Sequence, residues 1–122
     1  VRKAIDEFGI DKGNVSVTGF SMGGTAAWEF PYYQPDLFCR VGVISGSVQG
    51  WKLKHYPDIP VHVYSGGDEE FLKAHTFSVE LAKDFGNDIV HTIWPGLGHG
   101  ECFLKTIRDD NFLELLVTGK EA

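Results

Sequence analysis

The chain predicts an α/β fold: a mostly parallel sheet of about four strands with helices flanking it. Three observations carry this. Short β-branched runs alternate with stretches of helical period, glycine or proline closes most of those runs, and no internal repeat or low-complexity segment points to another architecture. Alternation of this kind implies parallel pairing through right-handed crossovers.

Each element can be justified in turn. Val1 to Phe8 has helical rhythm, with Ala4, Ile5 and Phe8 on one side and Gly9 as its stop. Val15 to Thr18 is a β-branched run ended by glycine. Gly24 to Tyr33 is helical in character, although Pro31 should kink or end it. Val41 to Ser45 and Val61 to Ser65 supply two further strands, the second opened by Pro60, where a missing N–H does least harm. Glu70 to Phe85 is the strongest helical stretch, with Phe71, Ala74, Phe77, Leu81 and Phe85 at spacings of three and four and Gly86 closing it. Ile89 to Trp94 is a fourth strand, ended by Pro95 and Gly96. Cys102 to Ile107 and Phe112 to Val117 follow as helices, the last capped by Asp110 or Asn111 and stopped by Gly119.

With 122 residues and no linker-like stretch, residues 1–122 read as one domain. No run approaches the about 20 apolar residues that a bilayer crossing takes, so no membrane partner is expected. A net charge of −6 speaks against a nucleic-acid partner, which needs a basic surface. Cys39 and Cys102 lie far apart and outside any CxxC pair, which fits reduced thiols and leans toward a reducing, cytoplasmic compartment. No metal-ligand spacing and no phosphate-loop lysine is present, and no cofactor is expected.

In an open parallel sheet, function gathers just past the carboxyl ends of the strands. Ser21 follows the first strand, Asp68 and Glu69 the third, His99 the fourth. The order serine, acid, histidine is that of the α/β-hydrolases. Gly19, Ser21 and Gly23 satisfy G-x-S-x-G, a short pattern that composition alone can supply; the strand-turn-helix context gives it weight. There Gly19 and Gly23 leave no Cβ to collide, Ser21 is held strained with its hydroxyl exposed, and the Met22 N–H at the helix start becomes an oxyanion donor. His99 lies in the glycine loop "PGLGHGE". The other histidines, His55, His62, His75 and His91, sit in a polar loop, in strands or on a helix, where a structural role is the plain expectation. "SGGDEEF" offers an acidic triplet that helix capping could explain equally well. Asp68 is the expected triad acid by residue type and loop position, and Glu69 the alternative. The aromatic group Trp28, Phe30, Tyr32, Tyr33 and Phe38 reads as packing. The loops "GSVQGWKLKHYPD" and "FLKAHTF" should border the site.

The segments "VSVTGFSMGGTAAWEF", "QPDLFCRVGVISG", "IPVHVYSGGDEEF" and "WPGLGHG" together resemble the C-terminal half of an α/β-hydrolase serine esterase. The similar groups are esterases related to the polyhydroxybutyrate depolymerases, the feruloyl esterases and the prolyl-oligopeptidase-like hydrolases. The resemblance implies Ser21 as nucleophile and His99 as general base, acting on a small-molecule ester. It also implies that the four strands are half of a sheet roughly twice as wide, whose other half carries a second oxyanion donor. The Val15–Thr18 strand should then be a bare edge, one sheet face should be short of a helix, and the chain should be a fragment. Two functions follow as expectations: a serine esterase, or a catalytically weak hydrolase half. The latter would act as an association or scaffold domain, pairing through that edge with a second copy or with a separate N-terminal half.

Overall fold

The computed structural model describes residues 1–119. Helix α1 (Arg2–Phe8) leads through a 3-10 turn into strand β1 (Ser16–Phe20), followed by α2 (Met22–Tyr33) and β2 (Arg40–Ile44). A second 3-10 turn, Gly50–His55, precedes β3 (Val61–Gly66), α3 (Leu72–Asp84) and β4 (Ile89–Trp94). Helices α4 (His99–Ile107) and α5 (Asp110–Thr118) close the fold.

The strands form one parallel sheet in the order β1-β2-β3-β4, so β1 and β4 are its edges. Strands that add in sequence order with one crossover hand must send every connection over the same face. The packing agrees. Ala27 and Trp28 of α2, Leu53 of the 3-10 turn, and Val79 and Ala82 of α3 share one core with Val41, Val43, Val61 and Val63. The opposite face takes the helices that come after β4. There Cys102 of α4 and Phe112 of α5 cover Ile44 and Tyr64.

Each face therefore carries helices over β2 and β3, which narrows the expectation that one sheet face is short of a helix. Cover thins toward both edges: Thr18 of β1 is exposed, and at β4 Val90, Thr92 and Asn111 border an open groove of about 220 Å³. β1 is an edge strand, as expected, and β4 is the other. No described helix is long and apolar enough to cross a membrane.

Four local expectations change. Pro31 does not end α2: it lies buried in the last turns, and the helix runs on to Tyr33. On α3 the buried side is His75, Ser78, Val79 and Ala82, while Phe71, Phe77 and Phe85 of the expected stripe are exposed. In the aromatic group Trp28 and Phe38 are buried, but Phe30 and Tyr33 face outward. The cap of α5 is Asp109, whose side chain accepts from the Asn111 N–H, in place of Asp110 or Asn111.

Candidate active site

The turn after β1 is built by contact between backbones. A Cβ on Gly19 would meet the Gly23 carbonyl oxygen at 2.1 Å, and one on Gly24 would meet the Ile44 oxygen at 2.9 Å. Gly23, the second glycine of the pattern, has open space around it, so the close approach belongs to Gly19 and Gly24. Ser21 at the tip has φ 60 and ψ −118, a conformation side chains rarely take. Its N–H donates to Ile44 O at 2.9 Å, which ties the turn to β2. Met22 opens α2, so its N–H belongs to the helix end that has no upstream carbonyl to bond.

The turns after β3 and β4 lock to one another. Gly67 N–H donates to Trp94 O, and Asp68 N–H to Leu97 O. A Cβ on Gly66 would meet Leu97 O at 2.3 Å, so the two loops touch only because that residue is glycine. The pairing turns the Asp68 side chain to solvent and the Glu69 side chain into the protein, where Glu69 is 6% exposed. His99 is the first residue of α4, fixed on a helix and not in a loose loop. Its ring lies 4.7 Å from the Phe20 ring and 6.3 Å from the Phe71 ring.

These elements bring three side chains into one hydrogen-bonded line. Ser21 Oγ lies 3.0 Å from His99 Nε2, and His99 Nδ1 lies 3.1 Å from Glu69 Oε1. A carboxylate only accepts, so Nδ1 carries the ring hydrogen and the bare Nε2 accepts from the Ser21 hydroxyl. The acid in contact is Glu69. Asp68, the residue favoured by type and position, is corrected here because the loop pairing points it outward.

Glu69 is also held from behind. Its Oε2 accepts from the Ser45 hydroxyl at 2.8 Å and from the Gly66 N–H. Burial pushes its pKa up, but the Gly66 N–H, His99, Ser45 and the nearby His75 outweigh that and hold the carboxyl below its ordinary value. Ser45, at the end of β2, was not singled out from the sequence, although its place between Ile44 and Gly46 at a strand end was a usable signal. It too has positive φ, 54.

A shallow cleft of about 160 Å³ opens over Ser21 and His99, with Met22, Phe71 and Ser47 on its walls. Met22 is 87% exposed and Phe71 55%, so its rim is apolar. The loop expectation holds in part. Gly46, Ser47, Phe71 and Ala74 line the cleft, whereas the Gly50–His55 turn buries Leu53 in the core and pairs Lys52 with Glu29 at 3.0 Å. Among the described residues no cluster of His, Cys, Asp and Glu is arranged to hold a metal ion. Both cysteines are free.

The fold is that of the α/β-hydrolases. A thermostable esterase crystal structure matches 94% of this chain at TM-score 0.85 and 25% identity, and 33% of that chain is covered. An S-formylglutathione hydrolase from Staphylococcus aureus matches 94% at TM-score 0.78 and 12% identity, with 57% of it covered. The Pyrococcus horikoshii acylaminoacyl peptidase matches 84% at TM-score 0.73 and 14% identity, with 22% covered. The chain thus spans about a third of the thermostable esterase. The family described as Putative esterase matches residues 4–121, and the chain belongs to it. None of the curated proteins compared matches the sequence.

Proposed function

We propose that this chain carries the catalytic triad of a serine hydrolase that cleaves carboxylic esters through an acyl-enzyme. The observation that supports this most is the continuous line Ser21–His99–Glu69, with contacts of 3.0 and 3.1 Å and a buried, ionised acid at its end. In this mechanism Ser21 Oγ attacks the ester carbonyl while His99 Nε2 takes its proton. The tetrahedral oxyanion forms beside the Met22 N–H, at the positive end of the α2 dipole. Collapse expels the alcohol, which receives the proton from His99. Water then repeats the cycle on the acyl-Ser21 ester. Glu69 holds the ring in the productive tautomer and stabilises the imidazolium that forms. The apolar rim of Met22 and Phe71 favours an uncharged acyl or alcohol group.

The test is hydrolysis of p-nitrophenyl acetate by the purified chain beside Ser21→Ala. Serine-dependent turnover supports the proposal, and equal rates in both proteins would remove Ser21 as nucleophile.

A second reading is favoured by the unpaired β1 edge. Here the chain is a weak hydrolase half that associates through that strand, with another copy or with a separate chain supplying strands. Sedimentation separates the two: a strictly monomeric and fully active chain contradicts association. Among the matched folds are a peptidase and a thioester-named hydrolase, so amide and thioester probes belong beside the ester.

A further inference from the structure

Behind Glu69 lie three polar side chains that the chemistry above does not use. His75, near the start of α3, is 2% exposed, and Ser65, on β3, is fully buried. His75 Nδ1 lies 3.0 Å from Ser65 Oγ and 3.6 Å from Glu69 Oε1. Ser65 Oγ lies 2.8 Å from Nε2 of His91 on β4.

A hydroxyl carries one hydrogen, so Ser65 can donate to only one ring and must accept from the other. Two directions satisfy the chain. In the first, His75 Nδ1–H donates to Ser65 and Ser65 donates to a bare His91 Nε2. In the second, His91 Nε2–H donates to Ser65, Ser65 donates to the His75 Nδ1 lone pair, and that electron-rich nitrogen stands 3.6 Å from Glu69 Oε1. The charge on Glu69 selects between them. A lone pair 3.6 Å from an ionised oxygen is repelled, whereas an N–H presents its positive end. Burial lowers the pKa of both rings, His91 to about 4, so both are neutral near pH 7 and each holds one ring hydrogen.

We propose that His75 is a positioning residue for Glu69. Its Nδ1–H donates to Ser65, which His91 orders from behind, and the positive end of that N–H dipole, 3.6 Å from Glu69 Oε1, steadies the carboxylate in the orientation that meets His99. Glu69 then has a donor or positive dipole on each side: Ser45 and Gly66 at Oε2, His99 and His75 at Oε1. The effect on rate rests on the triad proposed above; the direction of the hydrogen bonds and their effect on His99 do not.

Imidazole nitrogen–proton correlation spectra of the intact chain near neutral pH read the tautomers directly. The expected result is a hydrogen on Nδ1 of both His75 and His91; a hydrogen on His91 Nε2 overturns the proposal. The His99 Nδ1 proton provides a second readout through its downfield resonance. It should move upfield in His75→Leu and stay in place in His75→Asn, whose amide N–H stands where the ring N–H does. A resonance unmoved in His75→Leu overturns the proposal, whether or not the chain turns over esters. On p-nitrophenyl acetate, His75→Leu should lose about 10- to 100-fold in kcat at unchanged KM, with His75→Asn recovering most of it. Equal losses in both variants would mean packing alone. If the wild-type chain shows no Ser21-dependent hydrolysis, the functional proposal fails, and the spectra still decide this one.

Discussion

Ser21 and Ser45 occupy equivalent places on neighbouring strands and do opposite jobs. Each follows the last residue of its strand, each has positive φ (60 and 54), and each donates its N–H to the next strand, Ser21 to Ile44 O and Ser45 to Tyr64 O. Such conformations cost on the order of 1–3 kcal/mol apiece and persist only when their surroundings fix them. What differs is the cover. Ser21 opens onto the cleft with its hydroxyl against His99, whereas Ser45 is 3% exposed with its hydroxyl on Glu69. Gly46 produces the difference. A Cβ there would meet the Gly24 backbone at 2.8 Å, so glycine lets α2 close over the second serine. One strained turn presents a hydroxyl and the next holds an acid, and the sheet supports both with the same hydrogen bond.

Variants can break this comparison at several points. The largest effect is expected at the acid. Glu69→Gln should lower kcat on p-nitrophenyl acetate by about 10⁴-fold, while Asp68→Asn, altering an exposed side chain, stays within about threefold. Ser45→Ala removes one donor to a buried carboxylate, a bond of about 1.5–3 kcal/mol, and should cost about 10- to 100-fold in kcat. For the turn itself, urea unfolding of Gly24→Ala should show a loss of about 1–3 kcal/mol from the clash with Ile44 O. Gly23→Ala meets nothing and should be neutral or stabilising by up to about 1 kcal/mol.

A separate effect is expected in the pH dependence of stability. The unfolded chain protonates His91 below about 6.5, but the folded protein does so only below about 4. Stability therefore rises with pH across that window and falls as acid is added. His91→Gln should flatten the slope there, measured by denaturant midpoints at several pH values; an unchanged slope would place the proton uptake elsewhere.

The strands were legible as β-branched runs with a glycine or proline near their ends, although β1 runs on through Gly19 to Phe20 and β2 stops at Ile44, before Ser45. The placement of Ser21 and His99 was legible because strand ends in a parallel sheet face one edge. The acid was not. Whether Asp68 or Glu69 points inward is set by bonds to Trp94 and Leu97, nearly thirty residues away in sequence. The stripe on α3 misled for a related reason. Its buried face places His75 against Ser65 and Glu69 and Ser78 against the Val48 backbone, so these two go inside and Phe71 and Phe77 stay out. Periodicity detects apolar faces, and this face is partly polar by role.

The central claim is that Ser21 is the activated nucleophile. Covalent capture with diisopropyl fluorophosphate tests it most directly, because displacement of fluoride by the serine oxygen reads the nucleophile without requiring turnover. The expected result is one phosphoryl adduct per chain, mapped to Ser21, absent in Ser21→Ala and strongly slowed in Glu69→Gln. No adduct on the folded chain, or an adduct that persists in Ser21→Ala, would contradict it.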